Sequence, residues 1–143
     1  MRTSSITSLG ISLGTSATKS LNISAAAKAS GLTPYTLRYY EQIGLIAPVE
    51  RQSGARRYNA DDMRWLDFLV RLRATGMSMR DMQRYAQLRR EGEVAASLAE
   101  RQTLLEGHAR RLEEDMRALG ETLQTLRSKI RLYQDLQATS KRA

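Results

Sequence analysis

The chain has 143 residues, 41% of them apolar and 6% aromatic, a formal net charge of +8 and no cysteine. That length gives room for one compact domain and an appendage, and so small an apolar fraction makes association with another chain an expected source of stability. The lack of cysteine excludes disulfides, thiolate metal sites and thiol redox chemistry, and no apolar run reaches the roughly 18 residues that cross a bilayer, so a cytoplasmic protein is expected.

Residues 1–20 are rich in Ser, Thr and Gly, and Ile6, Leu9, Ile11 and Leu13 fall in no regular period. The segment reads as a disordered arm with no assigned function. Ser24 reads as the N-cap of a first helix built on Ala25, Ala26, Ala27 and Lys28, which stops at Gly31. Thr33 caps a second helix, Pro34 takes the first helical position where a missing N–H does no harm, and Gly44 ends it. Two short helices across a glycine turn outline a helix-turn-helix, an outline that purely structural helix pairs share.

The content of the second helix sharpens this reading. Leu37, Tyr40 and Ile43 form its inward stripe, leaving Tyr35, Arg38 and Tyr39 outward. Together with Thr33 and Thr36 they crowd hydrogen-bonding groups suited to phosphates and major-groove base edges, although tyrosines that simply pack are the plain alternative. After Pro48, two short segments hinge at Ser53-Gly54 and read as a β-hairpin. Arg51, Arg56, Arg57 and Tyr58 equip that hairpin to lie along a phosphate backbone; a solvated loop would carry the same charges.

Asn59 caps the next helix, with Asp61 and Asp62 in its first turn near the positive end of the helix dipole. Met63, Leu66, Phe68, Leu69, Val70 and Leu72, with Trp65 as a packing residue, make it the main core element until Gly76. Ser78 and Asp81 open a further helix carrying Met82, Tyr85 and Leu88, and Gly92 breaks the pattern. Up to this point the charge is one-sided: residues 21–90 hold 12 basic and 6 acidic side chains, whereas residues 91–143 hold 9 of each. A basic front and a balanced back suit a first part that faces a polyanion and a second that faces itself.

The last element has the clearest period. Leu105, Leu112, Leu119, Leu126 and Tyr133 fall seven apart, and Ala109, Met116, Leu123 and Ile130 form a second series offset by four. The two series make the apolar seam of a coiled coil, about 42 Å long over four heptads at the helical rise per residue. A partner helix is required to cover it, and heptads alone leave its direction open. The chain thus divides into an arm (1–20), a winged helix-turn-helix DNA-binding domain (21–92), a coiled-coil dimerisation helix (93–137) and a flexible tail (138–143), a mainly α fold.

Ile23-Ser24 through Leu32, then Leu37-Arg38-Tyr39-Tyr40-Glu41, Gly44-Leu45-Ile46 and Gly54-Ala55-Arg56-Arg57-Tyr58 resemble the mercury-resistance-regulator (MerR) family over about residues 22–90. Ala55 departs from the pattern, in which members commonly place an aromatic. The resemblance implies a homodimer with crossed antiparallel helices, bound to an inverted repeat in promoter DNA, that bends and untwists the DNA and so acts on RNA polymerase indirectly. The short form resembles the aldehyde- and electrophile-responsive branch, whose cysteine falls at Arg71, a side chain that cannot be a nucleophilic sensor. Metal-sensing members use thiolates that this chain lacks, so no metal and no cofactor is expected.

An enzyme is not expected either. His108 is the single histidine, there is no phosphate-binding glycine motif, and Glu113, Glu114 and Asp115 are adjacent on a helix and diverge around it. The competing reading is an architectural or accessory coiled-coil protein that holds DNA without responding to an effector.

Overall fold

The computed structural model describes residues 19–142. Most of the expected arm, residues 1–18, therefore lies outside the described residues. Five helices and one two-stranded sheet follow in the order α1 (Ile23–Ser30), α2 (Pro34–Gln42), β1 (Glu50–Gln52), β2 (Ala55–Arg57), α3 (Ala60–Ala74), α4 (Met79–Arg90) and α5 (Ala95–Arg142). The described residues form two compact units, divided between Gly92 and Glu93.

In the first unit each helix begins where a side chain satisfies its free N–H groups. Asn22, rather than Ser24, caps α1: its Oδ1 accepts from the Ala25 N–H at 2.8 Å while its carbonyl already takes the Ala26 N–H. Asn and Ser are equally good caps, and the earlier one wins because Ile23 and Ser24 continue the helix without strain. Thr33 caps α2 through the Thr36 N–H, with Pro34 in the first turn. Asn59 and Asp62 form a reciprocal capping box at α3, and Ser78 caps α4. Gly31, at φ +76°, closes α1 in the left-handed region that side chains rarely adopt.

α1 packs on α2 and α3, and α3 on α4. The core holds Ala26 and Ala27 from α1, Leu37 and Tyr40 from α2, Trp65, Leu66, Leu69 and Leu72 from α3, and Met82, Ala86 and Leu88 from α4. Leu45, Ile46, Val49, Tyr58 and Met77 join it from the connections. Met63, Phe68 and Val70 are only half-buried.

The hairpin turns through Ser53 (φ +53°) and Gly54 (φ +81°), two consecutive positive φ values that match the strand twist in a two-residue loop. Its register places Glu50 opposite Arg57, Arg51 opposite Arg56 and Gln52 opposite Ala55. Leu21 adds an antiparallel bridge to Tyr58, each N–H donating to the other's carbonyl at 2.8 Å.

In the second unit α5 is continuous over 48 residues, about 72 Å at the α-helical rise. It does not stop at 137. The expected tail from 138 onward is helical to Arg142, because that stretch contains no glycine or proline and Lys141 and Arg142 suit the negative end of the helix dipole. No helix among the described residues is long and apolar enough to cross a membrane.

Candidate nucleic-acid interface

α2 presents two different faces. Leu37 and Tyr40 point inward and are essentially fully buried, whereas Tyr35 is 76% exposed, Tyr39 is 43% exposed and Arg38 is exposed between them. Tyr39 leans on Tyr40, with ring centroids 6.4 Å apart, so a buried ring braces an exposed one. Thr33 and Thr36 sit at the start of the same helix, but their hydroxyls lie 2.9 Å apart in a mutual hydrogen bond, and Thr33 Oγ1 also accepts the Thr36 N–H. Capping is their first duty, which leaves each hydroxyl only part of its hydrogen-bonding capacity for a ligand.

The C-terminal end of α2 is held from outside. Three successive carbonyls each accept a side-chain donor: Ile43 O from Gln83 Nε2 at 3.2 Å, Gly44 O from Arg90 Nη1 at 2.6 Å and Leu45 O from Trp65 Nε1 at 2.8 Å. These carbonyls lie at and just beyond the C-cap, since the Tyr39, Tyr40 and Glu41 carbonyls of the helix already accept backbone N–H groups of residues 43–46. The Arg90 cation there also meets the negative end of the dipole. Trp65 is itself fixed, stacked on Tyr85 at 5.7 Å and covered by the Arg89 guanidinium at 4.3 Å. α3 and α4 therefore set the position of the exposed face of α2.

The hairpin arginines differ from one another. Arg51 is half-exposed, while Arg56 donates Nε to Glu41 Oε2 at 2.7 Å and is largely covered. Arg57 points to the other face, where Nε reaches Ser20 Oγ and Nη2 reaches the Ser20 carbonyl, both at 3.0 Å. Arg38, Glu41, Gln42, Pro48 and Arg56 line an open groove of about 440 Å³ between α2 and the hairpin.

A helix-turn-helix whose second helix shows tyrosines and an arginine outward, followed by a basic two-stranded hairpin, agrees with what comparison with known proteins finds. Residues 21–88 match the description MerR HTH family regulatory protein. The HTH-type transcriptional regulator YyaN of Bacillus subtilis, itself uncharacterized, is 32% identical over 123 residues, covering 78% of this chain and 89% of that protein. The chain belongs to the MerR family. Another Bacillus subtilis regulator, AdhR, is 45% identical over 74 residues, and that match spans 51% of this chain and 53% of AdhR. Among solved structures, the MerR family regulator HiNmlR, described as lacking the sensor domain and bound to promoter DNA, is 32% identical with a TM-score of 0.74, over 83% of this chain and 94% of that one.

Against this MerR-type head, one expected surface residue proves to be core. Tyr58 is 1% exposed, both its backbone groups are paired with Leu21, and its hydroxyl has no hydrogen-bond partner. Side chains alternate along a strand, so Arg56 and Tyr58 share the inward face and Arg57 takes the other. Burial first, and the Glu41 carboxylate second, push the Tyr58 hydroxyl above its ordinary pKa. Sequence reasoning also missed Glu41, Gln83 and Arg90, whose partners are 15, 40 and 46 residues away in the chain. The hint was Glu41 itself, a carboxylate directly after Arg38, Tyr39 and Tyr40 on a head with twice as many basic as acidic side chains.

Proposed function

We propose that this transcription regulator binds an inverted repeat in promoter DNA as a homodimer, in the cytoplasm, with α2 in the major groove and the hairpin along the backbone. The observation that carries the reading is the outward face of α2, where Tyr35, Arg38 and Tyr39 are exposed on a helix whose two ends are both fixed by hydrogen bonds. Arg38 reads base edges or a phosphate, Tyr35 and Tyr39 flank it, and Arg51 and Arg57 supply backbone contacts from the two faces of the hairpin.

The second copy follows from α5. Met116, Leu119, Leu123, Leu126, Ile130 and Tyr133 are between 45% and 69% exposed along one seam, an apolar row that a lone helix in water does not keep uncovered. Leu105, Ala109 and Leu112 continue it toward the start of the helix, and the matching seam of a second chain covers it. Two heads at a fixed spacing then read two half-sites. Regulation works by distorting the DNA between them, a deformation whose free energy is several kcal/mol, so RNA polymerase is affected through promoter geometry. No enzymatic step belongs to this reading.

Replacing Arg38 tests it. Arg38→Ala should weaken binding to the specific site by about 1–3 kcal/mol, while the folding free energy moves by no more than about 0.5 kcal/mol, as for other exposed side chains. Unchanged affinity in a titration at fixed near-physiological salt would show that α2 is not the reading helix.

A further inference from the structure

Arg51 and Arg56 stand directly opposite each other in the register of the hairpin. Two like charges in facing positions of an antiparallel pair repel, and strands of three residues each have little pairing of their own to resist that repulsion. The hairpin nevertheless closes with both guanidiniums on the side that faces α2. One carboxylate explains it. Glu41 of α2 directs Oε2 to Arg56 Nε at 2.7 Å and Oε1 to Arg51 Nη2 at 4.0 Å, so a single side chain bridges one arginine from each strand. Its side chain is 13% exposed and that of Arg56 is 22% exposed, so both partners are shielded from the solvent that makes surface ion pairs weak.

From this geometry we infer that Glu41 is a positioning residue: it offsets the repulsion between the facing arginines and sets the angle of the hairpin against α2, so that base contacts and backbone contacts engage DNA in one register. The inference rests on the DNA-binding reading above. Its consequence runs against simple electrostatics. Removing a negative charge beside a polyanion raises affinity for any duplex, whereas losing the hairpin's alignment lowers affinity only where α2 and the hairpin must act together. A carboxylate kept at the edge of a DNA-facing groove is thus a device for specificity that reduces bulk attraction.

The test compares Glu41→Gln, Glu41→Asp, Arg51→Gln and the double variant Glu41→Gln/Arg51→Gln with the full-length wild-type chain, on its selected site and on a scrambled duplex, across a salt series. Glu41→Gln should lower the ratio of specific to nonspecific affinity about tenfold, mid-range for directly coupled neighbours, and steepen the salt dependence of nonspecific binding by about one unit. Glu41→Asp keeps the charge but withdraws the carboxylate by one methylene, so it should lower the ratio with the salt slope unchanged, and it still decides the matter where the Gln variant does not fold. In the Arg51→Gln background, where the facing charge is gone, Glu41→Gln should have a clearly smaller effect on the ratio. A ratio unchanged in both Glu41 variants, or a loss equally large with and without Arg51, overturns the positioning role. A wild-type chain that prefers no site overturns the DNA-binding reading, and this inference with it.

Discussion

Arg38 and Tyr58 belong to the same head and have opposite fates. Arg38 lies on the exposed face of a helix and is free to meet a ligand, so its replacement is read in binding. Tyr58 is enclosed, its phenol hydroxyl unpartnered and raised in pKa, so its replacement is read in stability. Because the folded state holds the Tyr58 proton more tightly than the unfolded chain, the stability tied to that proton is complete below about pH 10 and is lost as pH rises through the raised folded value. Tyr58→Phe should leave stability near neutral pH equal or slightly higher, since an unpaired buried hydroxyl contributes nothing once removed. It should also flatten the alkaline fall in unfolding free energy above about pH 10. Denaturant titrations at neutral pH and above pH 10 check both; a large loss at neutral pH would mean that the hydroxyl has a partner in solution.

Among the elements, those announced by local chemistry were legible and those built by distant contacts were not. Thr33 with Pro34, Asn59 with Asp62, and Ser78 each sit within a turn of the N–H groups they satisfy, so α2, α3 and α4 could be read from neighbouring letters. The outward triad of Tyr35, Arg38 and Tyr39 followed from the same periodicity. Tyr58 misled because its side chain lies on the inward face of the hairpin with Arg56, while its backbone pairs with Leu21, 37 positions earlier. The end of α5 misled because a polar composition without glycine or proline looks like a tail and still propagates a helix.

The hairpin is the element most exposed to backbone geometry. Ser53 adopts φ +53° without being glycine, and Gly54 adopts φ +81° with open space around its Cα. Ser53→Asn should raise stability by up to about 1 kcal/mol, since Asn enters the left-handed region more readily, and Gly54→Ala should lower it by about 1–2 kcal/mol. Thermal melts compare the two; equal shifts would show that the turn is not held in this conformation.

For the whole molecule, the balanced charge of the second half and the exposed seam of α5 point the same way, toward a copy of the same chain. Leu132 and Leu136, 47% and 55% exposed, add apolar surface near the end of the helix that the two heptad series leave out. Charged replacements at Leu119 and Leu126 place like charges in the proposed dimer seam, each side chain otherwise being worth about 1.5–3 kcal/mol when fully buried. The double change Leu119→Glu/Leu126→Glu should give monomers in sedimentation equilibrium with the head still folded. A surviving dimer would place the contact elsewhere on the chain.

Selection of the purified full-length chain against random duplex DNA at near-physiological salt tests the regulator most directly, because low salt would reward positive charge alone. Two heads joined by a two-fold seam require an enriched inverted repeat with one fixed spacing between half-sites. A folded dimer that enriches no sequence would contradict sequence-specific regulation and leave a protein that holds DNA without reading it.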